Sequence, residues 1–186
     1  MKKSHLLFAL SIVLITVSCS KSYNEDYAVG RNEAENEAKQ RQQNIENALT
    51  GANKIISAKE QQRISAYIQR RGLSMTEYSG VFLQQTKKGN GKEITNDKTV
   101  TLKVKCQYLN EEVPDFFTKE KEQITFKVDG DTEVSFGLKT AVKKLSQGSK
   151  AIVIVPDNLA FWLDENGEKQ EASATLVYEI EVLKVE

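Results

Sequence analysis

Four rings, Phe116, Phe117, Phe161 and Trp162, fall in stretches with no helix or strand periodicity. Apolar rings in loops are hard to bury against a core, so they point to binding of apolar groups. The chain of 186 residues offers little conventional catalytic chemistry beside them. One histidine and two cysteines are too few for a His/Cys metal centre or a disulfide scaffold. Metal-dependent hydrolysis lacks both its histidine ligands and a paired-carboxylate context. Lys+Arg and Asp+Glu balance at 26 each, so the basic face of a nucleic-acid binder is not expected. Cys106, in an alternating run, reads as a small buried hydrophobe.

Cys19 has a different setting. Lys2 and Lys3 precede the apolar run Leu6 to Val17, which is too short for the roughly 20 residues that cross a hydrocarbon core. A charged start, a short apolar stretch and small residues make a secretory signal over 1–18. Its end, Ile15-Thr16-Val17-Ser18-Cys19, resembles a bacterial lipoprotein box, with Thr16 where such boxes usually carry Leu. The resemblance implies lipidation of Cys19 as a new N-terminus and an envelope location, the outer membrane before the inner. A plain signal peptide with an incidental cysteine is the alternative. Cleavage would remove Lys2 and Lys3 and leave the remainder slightly acidic. Acyl chains, not attraction to anionic lipid, would then hold it at a membrane.

The elements that must position the rings follow in order. Residues 19–56 are polar; Ala34, Ala38, Ile45 and Leu49 recur at helical spacing on a thin stripe, which fits a partly helical tether or plain disorder. Residues 57–78 hold a helix and linker. Ser57 and Glu60 have capping-box spacing, Ile64, Tyr67 and Ile68 share a face, and Gly72 supplies a stop, which predicts a helix over 58–71. Val81 to Gln85 reads as a strand before the turn Lys88-Gly89-Asn90-Gly91. Val100, Leu102, Val104, Cys106 and Tyr108 alternate strictly with polar residues, as in a half-buried strand. Ile124, Phe126 and Val128 alternate again, up to the turn Asp129-Gly130-Asp131. Leu138, Ala141, Val142 and Leu145 mark a short amphipathic helix, with Gly148 beyond it. Ala151 to Val155 is a continuous apolar strand closed by Pro156, Asp164 to Glu168 a hairpin tip, and Ala174 to Val185 the last strand. Strands and helices do not alternate regularly, so a parallel sheet is disfavoured. The expected class is α+β: an antiparallel half-barrel sheet of about five strands wrapped over one short helix, preceded by the N-terminal helical tether.

Residues 79–186 resemble the FKBP-type peptidyl-prolyl isomerases in four blocks. Ser79-Gly80-Val81-Phe82 with Lys88-Gly89-Asn90-Gly91 is similar to the entry strand. Gly137-Leu138 through Leu145-Ser146-Gln147-Gly148-Ser149-Lys150 is similar to the helix and its glycine turn. Val155-Pro156-Asp157-Asn158-Leu159-Ala160-Phe161 is similar to the proline-started loop, and Ala174 to Glu186 to the closing strand. The resemblance implies a site with Phe117, Phe161 and Tyr178 as catalytic walls and Val104, Val134, Ser135, Leu138 and Trp162 lining it. Leu138 stands at the family's floor Trp, Val104 at a Tyr (a two-residue slip would put Cys106 there), and Phe161 at a Tyr whose hydroxyl it lacks. Trp162 replaces a glycine, and Thr118 stands where the family has an acidic residue, Asp115 preceding the ring pair instead.

The implied activity is isomerisation of X–Pro bonds in polypeptide clients, with no cofactor and no metal. An apolar, water-poor hollow favours the twisted, less dipolar amide over the planar one. The other implied reading is a catalytically inactive FKBP-like lipoprotein that holds a protein partner or an unfolded client.

Overall fold

The structure is a computed structural model that describes residues 20–114, 122–130, 134–164 and 166–186, with side chains from residue 31 onward. The chain divides into two compact units between Ile55 and Ile56. Helix α1 (Ser20–Arg71) supplies all the described residues of the first unit. Over residues 31–55 it is exposed, supported by i,i+4 pairs Lys39–Glu35 at 3.0 Å and Arg41–Glu37 at 3.4 Å. No helix among the described residues is long and apolar enough to cross a membrane.

The helix expected over 58–71 is thus only the end of a longer one, and Ser57 does not cap it. Gly51 is the weakest helix former nearby. Its cost of about 1 kcal/mol is too small to break a 52-residue helix. The stop is where expected. Gly72 adopts φ 62°, and Leu73 N–H donates to the Ile68 carbonyl at 3.0 Å, the cross-bond that closes a helix around a left-handed residue.

The second unit is a six-stranded antiparallel sheet between two helical segments. Its strands are β1 (Thr76–Tyr78), β2 (Val81–Lys87), β3 (Thr99–Tyr108), β4 (Gln123–Lys127), β5 (Lys150–Val155) and β8 (Leu176–Val185), in the order β1-β2-β5-β8-β3-β4. Helix α2 (Phe136–Val142) lies on one face, with Leu138, Ala141 and Val142 in a core that includes Val100, Leu102, Val104, Cys106, Val153, Val155 and Tyr178. Against the other face, Ile64 and Tyr67 of α1 pack on Ile154 and Val177. Coverage on both faces explains why β5 reads as a continuous apolar run while β3 alternates.

About five strands were expected; the described residues hold eight. The additional ones are β1, β6 (Phe161–Leu163) and β7 (Lys169–Glu171), the last two forming a separate hairpin. Three residues are too few to display a period of two, so such strands leave no mark in the sequence.

The Glu60 carboxylate joins α1 to the loop after β5. Its Oε1 accepts Asp157 N–H at 2.8 Å and the Thr175 hydroxyl at 2.5 Å, and the residue is buried. Burial is the largest influence on this carboxyl and raises its pKa, while the Asp157 N–H and Thr175 bonds work against that shift. A raised folded pKa means that stability falls as pH climbs from the unfolded value through the folded one. Glu60→Gln retains an acceptor oxygen for both bonds and removes the ionisation. Its melting temperature is therefore expected to equal or exceed the parent's at pH 7 and to lose this pH dependence. Glu60→Ala strands both donors and is expected to cost about 2 kcal/mol. Thermal melts at pH 4 and 7 check both.

Candidate active site

The site is assembled from three places distant in sequence. β3 and β8 place Cys106 directly opposite Tyr178. The Tyr178 hydroxyl lies 3.2 Å from Ser135 Oγ, which also accepts Leu138 N–H at 3.4 Å and so caps α2. One hydroxyl pair therefore ties the sheet to the first turn of the helix beneath it.

Both ionisable groups at this floor are silent. Burial pushes the Cys106 thiol up to about 12, and burial likewise drives the Tyr178 phenol well above its ordinary value. Neither is a thiolate or phenolate at any physiological pH. The floor thus offers neither a thiolate nor a phenolate, and it stays uncharged.

The expected lining residues gather here and are nearly sealed. Val104 and Leu138 are 1% exposed, Ser135 3%, Tyr178 5% and Val134 8%. Leu138 of α2 and the fully buried Ala160 belong to the same core cluster as Tyr178. Phe116, Phe117 and Thr118 lie outside the described residues, as does Cys19.

Phe161 and Trp162 are not in a loop, as expected, but in β6, where Phe161 pairs with Glu171 and Trp162 with Gln170 of β7. Both are half-buried. The hairpin tip is held by Asp164, whose Oδ1 accepts the N–H of Asn166 and of Glu168 at 2.9 Å each, while Oδ2 accepts from Gln170. The Glu168 N–H in particular keeps this carboxyl below its usual range.

Sequence reasoning passed over Phe136. This ring is 51% exposed and stacks on Phe161, with centroids 5.5 Å apart and planes 7° from parallel. Lys169 Nζ sits 4.8 Å from the Phe161 centroid. No periodicity in the sequence marks this ring, which becomes visible only once Gly137 is seen to sit close against Val155. The accessible aromatic surface at this end of the fold is therefore Phe136 with Phe161 and Trp162; the buried floor holds Tyr178 and Leu138.

The model of the FKBP-type peptidyl-prolyl cis-trans isomerase family matches residues 90–183. A probable FKBP-type peptidyl-prolyl cis-trans isomerase, FkpA of Neisseria meningitidis serogroup B, is 30% identical over 110 residues, which are 59% of this chain and 39% of that protein. The chain thus spans well under half the length of this relative. Among crystal structures, FkpA from Escherichia coli superposes with a TM-score of 0.53 at 20% identity, over 83% of this chain and 72% of that one. A peptidyl-prolyl cis-trans isomerase from Pseudomonas syringae pv. tomato superposes with a TM-score of 0.51 at 16% identity, over 69% of this chain and 94% of that one. At these identities the two structures share the fold with this chain.

Proposed function

The chain belongs to the FKBP-type peptidyl-prolyl cis-trans isomerase family, and from that premise we propose that it accelerates rotation about X–Pro bonds in polypeptide clients. The supporting observation is the uncharged, largely apolar end of the helix–sheet sandwich, where Tyr178, Ser135, Leu138 and Val134 come together in the matched region.

Rotation about a peptide bond meets a barrier of roughly 18–20 kcal/mol because the twisted amide loses its resonance. The planar amide is the more dipolar form, so an apolar surface stabilises the twisted form relative to it. That mechanism uses no ionisable group, in keeping with a thiol and a phenol that hold their protons. In this reading the half-buried Phe161 and Trp162 meet the client, over a buried floor that includes Tyr178 and Val104; Phe117, the other expected wall, lies outside the described residues. The Phe161 ring carries no hydroxyl, so a client carbonyl is not held from that position. Acceleration of cis-to-trans conversion in a prolyl peptide by the protein tests the reading; a rate equal to the uncatalysed one overturns it.

The second reading, a non-catalytic module that holds a partner or an unfolded client, draws on the burial of Val104, Leu138 and Tyr178. It expects peptide binding without rate acceleration, and binding that survives Phe161→Ala. For location we propose a bacterial envelope lipoprotein anchored through Cys19, supported by the Lys2-Lys3 start, the apolar run and Ser18-Cys19. Metabolic labelling with a fatty-acid analogue, lost in Cys19→Ser, is the expected result; unchanged labelling removes the anchor.

A further inference from the structure

Between β5 and β6 the chain makes one 3₁₀ turn, Asp157–Leu159, whose N-cap is Pro156. A proline side chain offers no acceptor, and no side-chain cap is made there. The first N–H of the turn therefore needs an acceptor from elsewhere. Glu60 supplies it from α1, across 97 residues, at 2.8 Å. The same oxygen accepts the Thr175 hydroxyl. Among the described residues Glu60 is the only buried charged side chain. An apolar residue would cover the sheet at lower desolvation cost, so the carboxylate is there for its two bonds.

Both donors stand where the chain enters the site. From Asp157 it runs through the turn into Phe161, and from Thr175 it enters β8 at Leu176 and continues to Tyr178. The turn passes a displacement onward, because its bonds are chained. Leu159 N–H donates to the Pro156 carbonyl and Ala160 N–H to the Asp157 carbonyl, each at 3.0 Å. A shift of Asp157 thus reaches Ala160 and the ring that follows it. Resting on the isomerase reading above, we propose that Glu60 is a positioning residue: from α1 it fixes the spacing between the segment that delivers Phe161 and the strand that delivers Tyr178. The end of α1 then belongs to the framework of the prolyl site as well as to the cover of the sheet.

The experiment measures two quantities in the full chain, at a temperature where melts show every variant folded. One is kcat/KM for a proline peptide. The other is acrylamide quenching of Trp162, the chain's single tryptophan and the neighbour of Phe161 in β6, which needs no turnover. Glu60→Ala is expected to lower kcat/KM roughly tenfold and to raise quenching, and Glu60→Gln to restore both. Val100→Ala opens a cavity at the opposite end of β3 from Cys106 and is expected to change neither. In a Phe161→Ala background Glu60→Ala should add little further loss, because both changes disturb one wall. Glu60→Met keeps the side chain's bulk, accepts neither bond, and takes the place of Glu60→Ala if that variant does not fold. A Glu60 variant that behaves like Val100→Ala overturns the inference, as does a loss that multiplies with that of Phe161→Ala. A parent without rate acceleration removes the isomerase reading, and the quenching comparison then decides the positioning role by itself.

Discussion

Gly137→Ala is expected to destabilise the sheet unit by about 3 kcal/mol and to pull α2 from its seat. A Cβ built on Gly137 lies 2.2 Å from Val155 Cγ1, 3.1 Å from Cγ2 and 3.2 Å from the Leu159 carbonyl oxygen. The first distance is far inside van der Waals contact, and β5 is a central strand with no freedom to retreat. The helix has to move instead. Ser135 and Leu138 move with it, so the 3.2 Å contact between Ser135 and Tyr178 is the first casualty at the site. Val155→Ala removes both methyl obstacles. The double variant should therefore lose less than the two single losses added together, with a coupling of about 1–2 kcal/mol. Rescue stays partial because the Leu159 carbonyl is backbone. Denaturant melts of the parent, both single variants and the double variant give the answer; strict additivity would show that helix and strand do not meet there.

Tyr178 offers the other large effect, because its ring and its hydroxyl do separate jobs. The ring is 5% exposed and fills the floor between β8, β3 and α2. Tyr178→Ala is expected to cost about 4 kcal/mol through lost burial and the cavity left behind. Tyr178→Phe removes the hydroxyl that Ser135 and the Cys106 thiol share as a partner, while Ser135 keeps its bond from Leu138 N–H, and should cost about 1 kcal/mol. The two variants also differ at Cys106. This thiol is 3% exposed and inert because burial raises its pKa to about 12. Opening the floor with alanine admits water and reagent, so Cys106 should become readily alkylated; phenylalanine should leave it protected. Labelling in a Cys19→Ser background isolates the signal. Equal labelling of both variants would mean that Tyr178 does not shield the thiol.

What composition and periodicity determined is the part of the molecule governed by short-range rules. Alternation in Val100 to Tyr108 and Leu176 to Val182, the spacing of Leu138, Ala141 and Val142, and Gly72 as a stop each follow from one element meeting one apolar layer. The long-stranded α+β sandwich was legible for that reason. The tertiary structure decided whatever depends on residues that meet only after folding. Glu60 finds Asp157 and Thr175 across separations of 97 and 115 residues, and Ser135 finds Tyr178 across 43. Glu60 followed a capping pattern and instead became a buried clamp, because a bond to a distant donor leaves no local signature. Phe136 is the counterpart on the surface. Its exposure is set by how closely Gly137 approaches Val155, a distance that no periodicity encodes.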